Sequence, residues 1–183
     1  MRLDNYTVGT YTPGAPYWKQ LLWYFFGSPV VESHLIPISP IKVWILQIFG
    51  AKIGQGVRIK PGVRVKFPWR LTIGDYVWLG EEAWIDNIAP VTIESHVCIS
   101  QRVYLCTGNH DWNHPEFKLT PAPIHIQESS WIAANSAIGP GVNVGKGTVL
   151  TLGGVTGHSL EAMTIYSGNP ARAIKKKKDK EPQ

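Results

Sequence analysis

Two cysteines, Cys98 and Cys106, are all that this 183-residue chain contains. That is too few for a disulfide framework, and reduced thiols of a cytosolic protein are the expected state. No motif surrounds either one, so neither is a nucleophile candidate. The opening, with Arg2, Asp4 and Asn5, lacks the apolar stretch of a secretory signal. The longest apolar run, Leu21 to Phe26, falls far short of the roughly 20 residues that a membrane-spanning helix requires. Charge of one sign is in modest excess: the net charge is +5, and the lysines from Lys175 to Lys178 supply most of it. Such a terminal run is expected to be solvated, its alternative use being attraction to the phosphates of a small ligand or of a membrane surface. No basic stripe with interleaved aromatics follows the chain, which argues against nucleic acid as a partner.

What is there instead is a period of six. Aliphatic residues recur as Ile53, Ile59, Val65; as Ile73, Leu79, Ile85; as Ile93, Ile99, Leu105; and as Ile126, Ile132, Ile138, Val144, Leu150. Neither the 3.6-residue period of a helix nor the two-residue period of a half-buried strand explains it. Six-residue repeats mark parallel β-helices, in which each short strand and turn forms one flat wall and three hexads close a triangular coil. The first three runs are displaced by twenty residues, three hexads plus two, so two extra residues at a corner keep the register. Four residues after the aliphatic there often stands a small or apolar residue (Val57, Val63, Val77, Ala83, Val97, Val103, Val142), and directly after the aliphatic glycine is frequent (Gly54, Gly74, Gly80, Gly139, Gly145). Glycine there suits a tight corner with positive φ. The expected core is a continuous aliphatic column, and the length suits a single domain of about five coils.

Residues 1–50 carry no hexad and read as a capping segment. Trp18, Leu21, Leu22, Phe25 and Phe26 have helical spacing, and Val43, Trp44, Leu46, Gln47 and Phe49 resume it after the breaker run Pro37 to Pro40. Helices here are expected to cover the open end of the solenoid, with peripheral membrane contact as their other use. Residues 51–158 form the repeat region, interrupted by a loop at about 107–125, and 159–183 form a C-terminal segment with its basic tail. Insertions into repeat proteins often carry the binding function. This one opens Thr107-Gly108-Asn109-His110-Asp111, and an imidazole can accept a proton from a hydroxyl near neutral pH without special tuning.

The hexads, the Thr-Gly-Asn-His-Asp break, the stretch from Trp131 to Val142 (WIAANSAIGPGV) and the terminal Gly168-Asn169-Pro170-Ala171-Arg172 together resemble the hexapeptide-repeat O-acetyltransferases. Within them the chain is most similar to the colanic acid biosynthesis acetyltransferases, near the maltose, galactoside and nodulation-factor enzymes. The resemblance covers nearly the whole chain. It implies a left-handed parallel β-helix, a homotrimer with sites between subunits, acetyl-CoA as donor, no metal, and a loop histidine that deprotonates the acceptor hydroxyl for direct attack on the thioester. His110 takes that role by resemblance. The implied acceptor is a saccharide hydroxyl, on a lipid-linked intermediate of exopolysaccharide synthesis, handled in the cytoplasm close to the membrane.

The same resemblance assigns further residues. Asp86 and Asn87 follow Ile85, so the coil rule puts Asn87 under Thr107 and near His110, where family enzymes bind acceptor hydroxyls; a polar residue serving a corner turn is the other reading. Trp112 would stack on a sugar or pack on a neighbouring subunit. Ala134 and Leu152 match positions whose main chain lines the pantetheine arm, Arg172 a basic residue near the nucleotide phosphates, and Lys175 a second basic site. Gly157-His158 departs from the Thr-Lys common in relatives, which puts a phosphate contact there in doubt, His158 being a partial replacement for the lysine.

Two other readings use the same architecture. A γ-class carbonic anhydrase-like enzyme would hold zinc with three histidines, which brings in His96, His110, His114 and His125; their spacings do not resemble that family, and the Gly-Asn-Pro-Ala segment favours CoA. A non-catalytic β-helix scaffold needs neither the interrupting loop nor its histidine. Zinc content separates the first alternative from an acyltransferase, and thiol release from acetyl-CoA separates the second.

Overall fold

The computed structural model describes residues 3–177; Arg2 and Lys178 lie outside them. Helix α1 (Tyr17–Leu22) runs into a π-helical turn (Trp23–Gly27), followed by α2 (Ser28–Glu32) and α3 (Ser39–Ile48). Then the coil begins. Its first turn is β1 (Lys52–Ile53), β2 (Arg58–Ile59) and β3 (Arg64–Val65), and its second is β4 (Leu71–Ile73), β5 (Trp78–Leu79) and β6 (Trp84–Asp86). The third is β7 (Val91–Ile93), β8 (Cys98–Ile99) and β9 (Tyr104–Cys106); the fourth is β10 (Ile124–Ile126), β11 (Trp131–Ile132) and β12 (Ala137–Ile138). The fifth is β13 (Asn143–Val144), β14 (Val149–Leu150) and β15 (Val155–Thr156). β16 (Thr164–Ser167) begins a sixth turn by pairing with β14, and β17 (Arg172–Lys176) folds back antiparallel on it.

Among the described residues the strands form three parallel walls. The first is β1-β4-β7-β10-β13, the second runs from β2 through β5, β8, β11, β14 and β16 to β17, and the third is β3-β6-β9-β12-β15. The register is that of the hexads: Ile53 pairs with Ile73, Leu79 with Ile99, Leu105 with Ile138. Thirteen of the fourteen repeat aliphatics are buried, Ile53 at the capped end being half-buried, and Val57, Val63, Val77, Ala83, Val97, Val103 and Val142, four places after seven of them, are buried as well. The core is therefore one column with two aliphatic rows per wall segment. Apolar burial, worth about 25 cal/mol per Å², accumulates coil by coil.

The glycines work differently from the expectation. Gly54, Gly74, Gly80, Gly139 and Gly145 do not have positive φ. The following coil approaches too closely for a side chain: a Cβ on Gly80 would lie 2.5 Å from the carbonyl carbon of Ser100, and one on Gly145 would lie 2.4 Å from Ala162 N. The left-handed residue of each turn sits two places later. It is glycine at 56, 62, 141, 147 and 153, but Tyr76, Glu82, His96, Arg102, Ser129 and Asn135 elsewhere.

The helices close the open edge with one side chain per wall. Gln47 Nε2 donates to Ile53 O (3.1 Å), the Ser39 hydroxyl bonds Ile59 N and O (3.0 and 3.2 Å), and Trp23 Nε1 donates to Val65 O (3.2 Å). Trp23, Val31 and Leu46 point inward, whereas Trp18, Leu21, Leu22, Phe25 and Phe26, expected to form the apolar face, are exposed. Lys42 ties the cap together from a fully buried position, its Nζ donating to Val31 O (2.7 Å) and Ser33 O (3.1 Å). Burial lowers its pKa.

Lys42→Met is expected to destabilise the fold by about 2–3 kcal/mol, because it leaves two buried carbonyls without a donor. Urea denaturation measures it. A shift below about 0.5 kcal/mol, the range of an ordinary surface change, would show that the lysine does not hold the cap.

Candidate functional site

Thr107–Pro123 interrupts the coil at the corner between the third and first walls, between β9 and β10. The loop folds back on itself. Asp111 N donates to Lys118 O (2.8 Å), Thr120 N to Asn109 O (2.7 Å) and Ala122 N to Thr107 O (2.9 Å). The Asp111 carboxylate accepts Asn113 N and His114 N, making a tight turn at the tip. These bonds present His110 near the base of the loop, bridged to Leu119.

His110 is held on three sides. Its Nδ1 lies 2.9 Å from Phe117 O, its ring stacks on the Phe117 ring at 4.2 Å and 1°, and Tyr6 lies 5.8 Å away at 58°. A carbonyl accepts only, so this contact requires a proton on Nδ1. In the neutral imidazole Nε2 then carries the lone pair. The stacked ring fixes the direction in which that lone pair points.

The Tyr6 contact comes from an N-terminal arm that sequence reasoning missed. Thr7 Oγ1 donates to Glu116 Oε2 (3.1 Å), which with Lys118 lowers the Glu116 pKa. Trp69 Nε1 donates to Pro13 O (2.8 Å), and Arg70 donates to Thr12 O while its guanidinium lies over the Tyr11 ring. The Tyr11 hydroxyl is buried with no hydrogen-bond partner. Burial raises its pKa, Arg70 opposing and Asp86 adding to the shift. The only trace of this arm in the sequence is its run of tyrosines ahead of Pro13.

Asp86, at the end of β6 beneath the loop, is anchored by Lys66 Nζ 2.9 Å from Oδ1 and by the Tyr104 hydroxyl donating to Oδ2 at 3.1 Å. Burial, then Cys106 and Asp86, keep the Tyr104 phenol protonated far above its ordinary range. Asn87 is fully buried and turned to the coil: its Oδ1 accepts Phe67 N (2.9 Å) and its Nδ2 donates to Phe67 O (2.7 Å). Both ends of the Asn87 amide thus bond the coil below and join the turns at this corner. Trp112 stands at the loop tip, 67 % exposed. A cleft of about 430 Å³ lies between the N-terminal helices and the third wall, with Tyr17, Tyr24, Arg64, Lys66, Phe67 and Trp84 among its lining.

Ala134 and Leu152 meet on a different edge, the corner between the second and third walls. Gly153 N donates to Ala134 O (2.9 Å), and Leu152 is exposed. The Gly168–Ala171 turn stacks on the same edge, Val155 N donating to Gly168 O (3.0 Å) and Ala171 N to Val155 O (2.8 Å). Arg172 and Lys175 lie opposite Ser167 and Ile165 in the β16–β17 pair, and the register shift between Ile165 and Tyr166 keeps both on the outer face. Both are exposed, and no carboxylate pairs with either among the described residues. Within the described part of the lysine run, Lys175 and Lys176 are exposed on β17, Lys176 pairs with Glu161 (3.6 Å), and Lys177 Nζ donates to Gly147 O (2.9 Å). Gly157-His158 lies on the other corner, beyond β15.

The histidines do not converge. His96 stacks on Tyr76 (5.4 Å), His125 pairs with Glu94 (2.7 Å), and among the described residues no group of three His, Cys, Asp or Glu side chains is arranged to hold a metal ion.

The parallel coil of hexads is shared with solved hexapeptide-repeat acetyltransferases. A Vibrio cholerae protein of that description, complexed with acetyl coenzyme A, superposes with a TM-score of 0.75 at 22 % identity, over 88 % of this chain and 85 % of that one. A galactoside acetyltransferase in complex with coenzyme A gives 0.77 at 23 % identity, over 87 % and 80 %. No family model matches the chain. In sequence it is 40 % identical over 163 residues to a protein of Escherichia coli (strain K12) named as a colanic acid biosynthesis acetyltransferase, WcaF, across 89 % of this chain and 90 % of that one. The chain belongs to this family of hexapeptide-repeat acetyltransferases.

Asn87→Ala is expected to lower stability by about 1–3 kcal/mol, the cost of leaving the Phe67 backbone groups unpaired. Chemical denaturation checks it. An unchanged stability together with a raised Michaelis constant for the acceptor would return Asn87 to the binding site.

Proposed function

We propose that the protein transfers an acetyl group from acetyl-CoA to a saccharide hydroxyl, with His110 as general base. The observation that carries this reading is the Nδ1 contact to Phe117 O, which leaves Nε2 as the free acceptor on a loop of a family of acetyltransferases. The bound donor would supply the thioester. His110 Nε2 takes the proton of the acceptor hydroxyl as its oxygen attacks the thioester carbonyl, and the proton leaves on the departing thiol, giving an acetyl ester and free CoA. A positioned base of this kind contributes about 10²- to 10⁴-fold, and holding two substrates in one cleft supplies much of the rest.

The edge of Ala134, Leu152 and the Gly168–Ala171 turn fits the donor by its chemistry. Its side chains are small or apolar, and Arg172 and Lys175 at its end are exposed cations that pair with no carboxylate among the described residues, which suits them to phosphates. Asp86 and Tyr104 offer polar groups to the acceptor below the loop, and Trp112 offers a ring for a sugar face. His110 and the donor edge occupy two different corners of one chain, on either side of the third wall. A homotrimer that brings the donor edge of one subunit against the His110 loop of the next completes the site. The family's naming in colanic acid biosynthesis supports a cell-surface polysaccharide precursor, in its lipid-linked form, as acceptor. The membrane relation would be peripheral, since no described helix is long and apolar enough to cross a bilayer.

His110→Ala should lower turnover at least about 100-fold while acetyl-CoA affinity, read by calorimetry, stays unchanged. Thiol release against a panel of saccharides measures the first quantity. A variant that keeps more than about a tenth of wild-type turnover excludes His110 as the base.

A further inference from the structure

The end of the prism at which the coil starts differs from the rest of its surface. After Trp23, Val31 and Leu46 are turned inward, the helices still expose Trp18, Tyr24, Phe25, Phe26, Leu35 and Trp44, the first four and the last between 61 and 70 % and Leu35 at 93 %. Single exposed apolar residues are ordinary; a cluster of aromatics across consecutive helices is not. Across residues 17–48 the only charged side chains are Lys19, Glu32 and Lys42, and Lys42 is buried. Tryptophan and tyrosine mixed with phenylalanine and leucine is the composition that settles at the headgroup level of a bilayer.

Charge is segregated to the same end. Residues 3–70 carry eight Lys and Arg against two Asp and Glu, whereas 71–177 carry seven against nine. No acidic residue occurs between Glu32 and Asp75, while the first coil supplies Lys52, Arg58, Lys60, Arg64 and Lys66. Lys66 is paired with Asp86, but no carboxylate pairs with Lys52 or Lys60 among the described residues. Arg58 and Arg64 rest on the rings of Trp78 and Trp84 at 4.7 and 4.4 Å, which spreads positive charge over two walls. The result is an apolar end with a basic belt directly above it. A second copy docked end to end would set one positive belt against another. A surface of anionic lipid offers apolar depth to the aromatics and phosphates to the belt.

We infer that the N-terminal helical end docks on an anionic lipid bilayer, its aromatic side chains at headgroup depth and the basic belt of the first coil over the lipid phosphates. The cleft between these helices and the third wall, lined in part by Tyr17, Tyr24 and Lys66, then opens next to the membrane. The inference goes beyond the acyl-transfer reading, since vesicle binding is measured with neither donor nor acceptor present and fails or succeeds independently of it.

The test is sedimentation of the full-length protein with phosphatidylcholine vesicles, alone or mixed with phosphatidylglycerol. The wild type should bind the anionic vesicles at least about 10-fold more strongly than the neutral ones, and less as salt rises. The triple variant Tyr24→Ser/Phe25→Ser/Phe26→Ser should lose at least about 10-fold of that binding with its assembly mass unchanged. Lys52→Gln/Lys60→Gln should weaken it several-fold and flatten its salt dependence. Equal binding of the wild type to both vesicle types, or none to either, overturns the inference, and does so even if the triple variant fails to fold. A folded triple variant that binds as tightly as wild type also overturns it. A change in assembly mass in that variant, read by light scattering, would instead make this face a contact between protein chains.

Discussion

At two of the three corners, successive coils are joined by one repeated backbone bond. The N–H of the left-handed residue, three places after the repeat aliphatic, donates to the carbonyl of the turn below: Tyr76 to Gln55, His96 to Asp75, Ser129 to Ser95 on one corner, and Glu82 to Pro61, Arg102 to Glu81, Asn135 to Gln101 on the other. A buried N–H must find an acceptor, and the positive φ is what aims this one along the stack. The third corner is built otherwise in its first three coils. There the side chains of Asn87 and Thr107 join the turns, Asn87 to Phe67 and Thr107 to Asp86 and Ala89. The loop leaves from this corner, where lengthening the chain breaks no repeated bond, and the two residues on which it stands are those that replace the ladder.

On the proposed function, the chemistry inherits this division. The regular corner between the second and third walls stacks Ala134, Leu152 and the Gly168–Ala171 turn along one edge, the edge that the proposed reading gives to the donor. The irregular corner provides a short folded loop whose internal bonds hold Phe117 O against His110 Nδ1. Rigidity at one edge and a shaped loop at the other come from the same coil. On the proposed reading, a second subunit is what closes the gap across the third wall.

The hexads were legible because each aliphatic is repeated and each is inward. The reason for the glycines was not: Gly80 and Gly145 are small because the next coil crosses them, at Ser100 and at Ala162, contacts a full coil away in sequence. The left-handed positions were hidden because tyrosine, glutamate, histidine, arginine, serine and asparagine fill six of the eleven named above, and composition announces such a backbone only when glycine does. Asn87 could serve a corner or a substrate, and only the position of Phe67 decides between them. The arm that brings Tyr6 to His110 and Thr7 to Glu116 spans more than a hundred residues of sequence, so no local pattern encodes it. His110 was legible as a candidate because it is the first histidine after the period breaks.

The central claim is that the base and the donor edge which work together belong to different chains. Co-refolding a His110→Ala chain with an Arg172→Ala/Lys175→Ala chain, at subsaturating acetyl-CoA, tests it most directly. If neighbouring subunits share each site, some sites in the mixture pair an intact His110 with an intact donor edge, and thiol release exceeds the sum of the two variants assayed apart. A mixture no more active than that sum, in assemblies shown to contain both chains, would contradict the account.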